Sequence, residues 1–398
     1  MKREIMKTHQ SRGTTRCVVP LLVICLLIIT GCSTSPEISY IQTQGNISSV
    51  TWEQINTTQE IVKQEENIDQ LFTLASLYLQ GIRESADPSL YEKIKQVMES
   101  ARSLEPDNNN ILFFEAQVDL GRHLFSDALK KAIRLTSASP KTNYFYGVLA
   151  DAHIELGNYD EAEQALEIMI NLRPDFSSYS RIAYLREIFG DREGAIEMME
   201  YSTESSIAIP ENFAWSISEL GRLWSISDKN KATQAFESAL NTYPNYTPAL
   251  MGLAKIDMAE KNYQKAITKL EKALSILPLP EYATLLADLH EKQGNFQKAE
   301  AYYKLVDIGY DRIEASGTDV RMERTKYRLD RNILPKESLA IAQQLYKEKP
   351  TVFVADLVAW AHFRNGNREE AKGWIKKAQE TGIQNPSIIK HSQLISEK

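Results

Sequence analysis

The sequence predicts an all-α fold built from helix–turn–helix repeats, and three regularities of its residues support this prediction. Six prolines recur at an almost constant spacing of about 34 residues, a period found in repeat arrays. Small residues recur at fixed distances before each proline, and a glycine or asparagine turn lies midway between them. The prolines are Pro106, Pro140, Pro174, Pro210, Pro244 and Pro278. In arrays of this kind each unit is stable only when stacked on its neighbours.

Two amphipathic helices are predicted in each unit. In the unit that ends at Pro278, small or apolar residues occupy positions Ala254, Ala266, Leu270 and Ala273. Spacings of three and four residues place the last three on one face of a helix. Alanine at the first two positions lets the paired helices approach closely. The proline disfavours helical backbone in the residue before it and therefore ends the second helix.

A tight turn is predicted between the two helices of each unit. Glycine and asparagine adopt the left-handed backbone that ends a helix more readily than other residues do. These turns are Gly157-Asn158, Gly190-Asp191, Lys261-Asn262, Gly294-Asn295 and Gly366-Asn367. Each unit is therefore a helix, a turn and a second helix.

The period, the turn position, the small residues and the closing proline resemble the tetratricopeptide repeat (TPR) family. The resemblance covers residues 75–383, although the family's usual tryptophan and tyrosine positions in the first helix are mostly replaced. It implies an α-solenoid of about eight to nine repeats over residues 59–398, forming a right-handed superhelix whose first helices line a concave groove. Residues 309–349 are expected to form a degenerate repeat, and residues 385–398 a closing helix.

Residues 1–31 are predicted to be a secretory signal peptide. Five basic residues and one acidic residue precede an apolar run of about 14 residues, whereas a membrane-spanning helix needs roughly 20. The run ends at Ile29-Thr30-Gly31-Cys32, which resembles the lipobox of bacterial lipoproteins. That resemblance implies cleavage before Cys32, lipidation of its sulfur and attachment of the protein to a membrane.

The location expected for the mature protein is the outer membrane, facing the periplasm, if the source has two membranes. This follows by resemblance, because Ser33 occupies the position where an aspartate retains such lipoproteins at the inner membrane. Residues 32–58 are rich in serine, threonine and glutamine, and we expect them to form a flexible tether.

Charge, cysteine usage and motifs argue against several classes of function. The net charge is −7 and both signs are mixed along the chain, so a basic surface for nucleic acid is not expected. No cysteine follows Cys32, which excludes a thiolate metal site in the body. The sequence contains no phosphate loop, zinc-protease motif or nucleophile elbow. We expect no enzyme activity, no cofactor and no metal.

Three histidines share one position of the repeat. His153, His290 and His362 each follow the small residue of the first helix by three positions. They belong to three different repeats and are far apart in the sequence. Residues that recur at one repeat position usually serve helix packing, so packing is expected here and a shared metal site is the weaker alternative.

A partner-binding row is predicted along the first helices. It consists of Phe114, Gln117, Asp151, Arg181, Tyr184, Lys255, Asp288 and Trp360. Aromatic, acidic and basic residues along one line suit an extended peptide or a partner helix. Arg181 and Tyr184 lie three residues apart on what should be a solvated face, so replacing both with alanine should weaken binding and leave stability unchanged.

The function expected from these features is a membrane-anchored scaffold for protein–protein interactions in the cell envelope. It would support a secretion, pilus, polysaccharide-export or outer-membrane complex. Two alternatives remain: an inert periplasmic spacer whose inner face contacts only solvent, and an enzyme with an unrecognised site. Residues 319–332 are the only stretch that could hold such a site, and they offer no nucleophile–base pair.

Overall fold

The computed structural model describes residues 47–397, and within this range it contains twenty α-helices and no β-strand. The helices are α1 (Ser49–Gln64), α2 (Ile68–Ser85), α3 (Ser89–Leu104), α4 (Asn109–Gly121), α5 (Phe125–Ala138), α6 (Asn143–Glu155), α7 (Tyr159–Leu172), α8 (Phe176–Ile188), α9 (Arg192–Ser206), α10 (Pro210–Trp224), α11 (Lys229–Thr242), α12 (Thr247–Ala259), α13 (Tyr263–Ile276), α14 (Pro280–Lys292), α15 (Phe296–Ala315), α16 (Arg321–Asp330), α17 (Pro335–Glu348), α18 (Val352–Arg364), α19 (Arg368–Ala378) and α20 (Pro386–Ser396).

The helices are paired and the pairs are stacked, which confirms the predicted all-α fold. Within a pair, α6 packs on α7, α12 on α13 and α14 on α15, and neighbouring pairs pack through α7 on α8, α11 on α12 and α13 on α14. The alanines at the small positions, such as Ala150, Ala162 and Ala254, are completely buried. No helix of the described residues combines the length and the apolarity needed to cross a membrane.

The described residues divide into two compact units, each made of two separate stretches of chain. Unit 1 contains residues 123–205 and 319–397, and unit 2 contains residues 47–122 and 206–318. In each unit, repeats that are far apart in sequence pack against one another.

In unit 1, turns of the earlier stretch, residues 123–205, pack on loops of the later stretch, residues 319–397. The phenol oxygen of Tyr159 accepts a hydrogen bond from the backbone nitrogen of Val352 at 3.2 Å. His123 donates from Nδ1 to the carbonyl oxygen of Asp319 at 2.8 Å. A Cβ atom added to Gly157 would lie 2.9 Å from the carbonyl oxygen of Pro350. These contacts join residues that are about two hundred positions apart in the sequence.

In unit 2, arginine side chains join the earlier stretch, residues 47–122, to the later stretch, residues 206–318. Arg83 of α2 makes a bidentate ion pair with Glu211 of α10, with distances of 2.7 and 3.1 Å. Arg122, after α4, donates to the carbonyl oxygen of Ser316, after α15. Bidentate and carbonyl contacts of this kind fix orientation because the guanidinium donors have a rigid planar geometry.

The structure differs from the predicted tether, which was expected to extend to residue 58. Helix α1 begins at Ser49, whose preceding residue Ser48 caps the helix by accepting from the backbone nitrogen of Thr51 at 3.2 Å. Ile55 is fully buried and Thr58 nearly so. The polar composition of this segment concealed a helix with a buried face of spacing three and four. Residues 32–46 of the predicted tether, and the signal peptide before them, lie outside the described residues.

Candidate partner-binding surface

The eight residues of the predicted row lie on first helices of the repeats but fall into both units. Unit 1 holds Asp151 on α6, Arg181 and Tyr184 on α8, and Trp360 on α18. Unit 2 holds Phe114 and Gln117 on α4, Lys255 on α12 and Asp288 on α14.

Arg181 is a buried residue whose side chain links two repeats of unit 1. Its Nε and Nη2 atoms donate to the two carboxylate oxygens of Asp151 at 2.8 and 2.7 Å. Its Nη1 atom donates to the carbonyl and hydroxyl oxygens of Ser177. Only 6% of Arg181 is exposed, so the expectation that it lies on a solvated face is wrong. A bidentate pair satisfies the guanidinium geometry, which is why the charge tolerates burial.

Asp151 is partly buried, with 21% of its side chain exposed. Burial raises the pKa of its carboxyl above the usual value, and the nearby Arg181 guanidinium opposes that rise. Separating the pair is therefore costly, since Arg181 alone would be a buried charge and Asp151 a partly buried one. Tyr184, one turn beyond Arg181, is half-buried.

Trp360 is part of the core of unit 1. Its indole nitrogen donates to Asp330 of α16 at 2.9 Å. Its ring stacks on that of His391 of α20, with centroids 4.2 Å apart. His391 in turn contacts the carboxylate of Asp356 at 2.9 Å. Trp360 therefore joins α16, α18 and the closing helix, and its side chain is buried.

The row of unit 2 is buried at α4 and exposed at α12 and α14. Phe114 and Gln117 are buried, and the Phe114 ring stacks on Phe72 of α2 with centroids 5.6 Å apart. Lys255 and Asp288 are exposed. Four of the eight predicted residues are thus packed inside the fold: Phe114, Gln117, Arg181 and Trp360.

The exposed part of the row forms a surface of mixed charge, which we call the α12–α14 surface and define as Lys255, Glu281 and Asp288. The Lys255 ammonium lies 3.2 Å from the Glu281 carboxylate, and these side chains are 50% and 56% exposed. Asp288 accepts a hydrogen bond from the hydroxyl of Tyr303 at 2.7 Å. Ion pairs this exposed contribute about 0–1 kcal/mol, so a binding partner could replace them at little cost.

A partly buried acidic group that the sequence did not indicate lies one helical turn after Asp151. Burial raises the pKa of Glu155 to about 7, with further upward contributions from Asp151 and Glu323 and a downward one from Lys349. Lys349 and Glu323 come from the later stretch of unit 1. The only sequence signal was the spacing of four residues from Asp151, which places the two carboxyls on one helical face.

The three repeat histidines lie against neighbouring side chains. The His290 ring stacks on Tyr302 with centroids 5.5 Å apart. Nδ1 of His153 lies 3.4 Å from the side-chain nitrogen of Asn158. Burial lowers the pKa of His153, His290 and His362. Within residues 47–397, no group of three His, Cys, Asp or Glu side chains is arranged to hold a metal ion.

Family comparisons agree with the paired helices. Tetratricopeptide repeat models match residues 113–175, 228–289 and 280–306. A protein of Dictyostelium discoideum described as DnaJ homolog subfamily C member 7 homolog is 23% identical over 315 residues. The match covers 73% of this chain and 56% of the relative, so the chain spans just over half of that protein.

Two solved structures share the fold. The human IFIT1 dimer with PPP-AAAA has a TM-score of 0.50 and 15% identity over 82% of this chain and 77% of its own. A monomeric mutant of IFIT1 with m7Gppp-AAAA has a TM-score of 0.51 and 15% identity, covering 82% and 76% of the two chains. Similarity at this identity concerns the stacking of helix pairs and carries no ligand over to this chain.

Proposed function

We propose that this chain, three stretches of which are tetratricopeptide repeats, is a lipid-anchored scaffold of the bacterial cell envelope. The repeats bind a peptide or a partner protein, and the lipid holds the complex at the membrane. The observation that carries the proposal is the α12–α14 surface, where charges of both signs remain in water on two consecutive first helices. With a lipid anchor and a binding surface of this kind, the protein would support the assembly of a secretion, pilus, polysaccharide-export or outer-membrane complex.

The anchor in this proposal is Cys32, which lies outside the described residues. Its support is the N-terminal sequence alone: a basic start, a short apolar run and a lipobox-like exit. Residues 33–48 separate the cysteine from α1. Sixteen residues reach at most about 55 Å when fully extended, so the start of α1 stays within that distance of the lipid.

The partner proposed for the α12–α14 surface carries charges of both signs. A carboxylate opposite Lys255 and a basic side chain opposite Asp288 would replace the exposed intrachain contacts of these residues. Binding through exposed charges weakens as salt screens them, with a Debye length of about 8 Å at physiological ionic strength. The affinity should therefore fall as the salt concentration rises.

Affinity capture from detergent-solubilised membranes tests this function. The wild-type chain should recover a stoichiometric protein partner. The double variant Lys255→Glu with Asp288→Lys reverses both charges and leaves the net charge unchanged. It should bind that partner about tenfold more weakly, which corresponds to roughly 1.4 kcal/mol.

The matched control is Glu300→Lys with Lys304→Glu on α15, an exposed ion pair of 2.9 Å whose reversal also conserves net charge. It should bind as the wild type does. Equal loss in both double variants would contradict the role of the α12–α14 surface. Failure of the wild type to recover any stoichiometric partner would contradict the scaffold itself.

A further inference from the structure

In unit 1 a turn between two helices packs on a loop, and we call this pair of segments the turn–loop module. The turn is Gly157-Asn158-Tyr159, at the junction of α6 and α7, and the loop is residues 349–351, which joins α17 to α18. A Cβ atom at Gly157 would lie 2.9 Å from the Pro350 carbonyl oxygen, so the loop backbone rests directly on the turn. The glycine is therefore required both by its φ of 79° and by the space available.

Side chains complete this interface on both sides. The Tyr159 hydroxyl accepts the backbone N–H of Val352. The ammonium of Lys349 lies 5.2 Å from the ring centroid of Phe125, the first residue of the second helix in the preceding repeat. The loop thus contacts aromatic residues at the same position of two consecutive repeats.

Within residues 47–397, unit 2 repeats the turn half of this module with no loop packed on its glycine, and the Lys292 ammonium lies 4.8 Å from the ring centroid of Tyr263. Asn158 has φ −86° and ψ 65°, and Asn295 has φ −86° and ψ 60°, so the two turns share one backbone geometry. The second helices of two consecutive repeats again begin with aromatic residues, Tyr263 and Phe296. A Cβ atom at Gly294 would meet nothing within 4 Å, and Phe296 is 68% exposed.

The chain also carries a second copy of the loop half. Of its fourteen prolines, only Pro174 and Pro350 follow a basic residue, Arg173 and Lys349 respectively. In both loops the residue after the proline caps the next helix. Asp175 accepts from the backbone nitrogen of Ser177 at 3.0 Å, and Thr351 accepts from that of Val354 at 3.2 Å. Leu172, directly before the Arg173 loop, is exposed.

We propose that the surface formed by Tyr263, Gly294 and Phe296 binds the loop of residues 173–175 from a second copy of this chain. The occupant is a second copy because the chain itself supplies the basic residue, proline and capping residue that cover the equivalent turn in unit 1. The contact joins two different surfaces, so it is head-to-tail and builds chains of copies unless the rotation closes a ring. This inference rests on the packing within the chain and does not depend on the proposed function.

Sedimentation velocity of the full chain in detergent, over a series of protein concentrations, tests the inference. The wild type should self-associate. Phe296→Glu should weaken association about tenfold or more, because a charge replaces the apolar side chain that the loop covers. Ile308→Glu, which changes another exposed apolar residue of α15, is the matched control and should associate normally.

A mixing experiment identifies the geometry. Arg173→Glu should also prevent association, and Leu172→Glu replaces it if circular dichroism shows that the first variant is unfolded. A mixture of the Phe296 and Arg173 variants retains one intact turn and one intact loop, so it should form dimers and nothing larger. A wild type that stays monomeric, or a mixture that stays monomeric or forms long chains, would overturn the proposal.

Discussion

The guanidinium of Arg181 lies between two repeats with hydrogen bonds from all three of its nitrogens. Asp151 accepts two of these bonds and Ser177 accepts the others. An ion pair of this kind contributes little relative to an apolar pair of similar size, but removing one partner leaves an isolated buried charge. Arg181 thus links α8 to α6, and its effect on a partner would be indirect.

Replacement of Arg181 with alanine should destabilise the protein by about 3 kcal/mol, because the partly buried Asp151 carboxylate would lose its partner. Urea unfolding of the variant measures this loss. Lys255→Ala is the control: it breaks an exposed pair and should cost about 0–1 kcal/mol. Similar stability of the two variants would show that the Arg181 pair is open to solvent.

Glu155 should make the stability of the protein depend on pH near neutrality. Its pKa is about 7 in the folded protein and 4.5 in the absence of burial, so the folded state binds the proton more tightly than the unfolded chain. Stability therefore falls as pH rises from about 4.5 to 7. Lys349, Asp151 and Glu323 are the charged groups that act on this carboxyl.

Glu155→Gln removes this titration and should therefore be more stable than the wild type above pH 7, by about 1–3 kcal/mol. Near pH 4 the difference should disappear, because the wild-type carboxyl is then protonated in both states. Unfolding free energies of the two proteins between pH 4 and pH 8 measure the effect. A constant difference across this range would contradict the assignment of the titration to Glu155.

Burial is the property of single residues that the repeat pattern predicted least well. The pattern placed Arg181, Trp360 and Lys255 at related positions of first helices, and that placement holds. It did not distinguish exposed Lys255 from buried Arg181, because burial depends on the particular neighbours in each repeat. The cluster at Glu155 was missed because Lys349 lies almost two hundred residues further along the chain.

At the scale of elements, the turns within repeats have two different surroundings. Gly190 and Gly366 have φ of 74° and 79°, which L side chains rarely adopt. A Cβ atom at Gly190 would overlap the carbonyl oxygen of Gly382, whereas one at Gly366 would meet nothing within 4 Å. Left-handed backbone ends the first helix in both repeats, but only the Gly190 turn also packs against a later loop.

Substituting alanine for Gly190 and for Gly366 distinguishes the cost of left-handed backbone from the cost of displacing a packed neighbour. Both substitutions carry the cost of left-handed backbone, about 1–2 kcal/mol. Gly190→Ala must also displace the backbone of Gly382 and should cost about 1–3 kcal/mol more than Gly366→Ala. Thermal unfolding of the two variants gives the comparison. Equal losses would show that the earlier and later stretches of unit 1 do not pack as described.

The turns were predictable because each contains a residue with a specific backbone preference, as at Gly157 and Asn295. The start of the array was not predictable in the same way. Helix α1 is rich in polar residues and lacks the small-residue pattern, and its buried residues, Thr51, Ile55 and Thr58, pack one face against the repeats. A single apolar residue among hydroxyl side chains gives too weak a periodicity to indicate a helix.

At the scale of the whole molecule, the proposed anchor and the folded repeats occupy separate parts of the sequence. Cys32 precedes α1 by residues 33–48. Two or three acyl chains give stable membrane attachment where one gives only marginal attachment, so the lipid alone should determine whether the protein fractionates with membranes. The helix pairs from α1 onward supply their own buried core, as the alanines at the repeat positions show.

Cys32→Ser should therefore abolish incorporation of labelled palmitate and release the protein from membranes, while far-ultraviolet circular dichroism keeps the helical spectrum of the wild type. Cys17→Ser and Cys25→Ser are the matched controls, since both cysteines precede the proposed cleavage site and should not carry lipid. Palmitate labelling that persists in Cys32→Ser would disprove lipidation at this residue. Loss of the helical spectrum in that variant would instead show that the repeats depend on the anchor for folding.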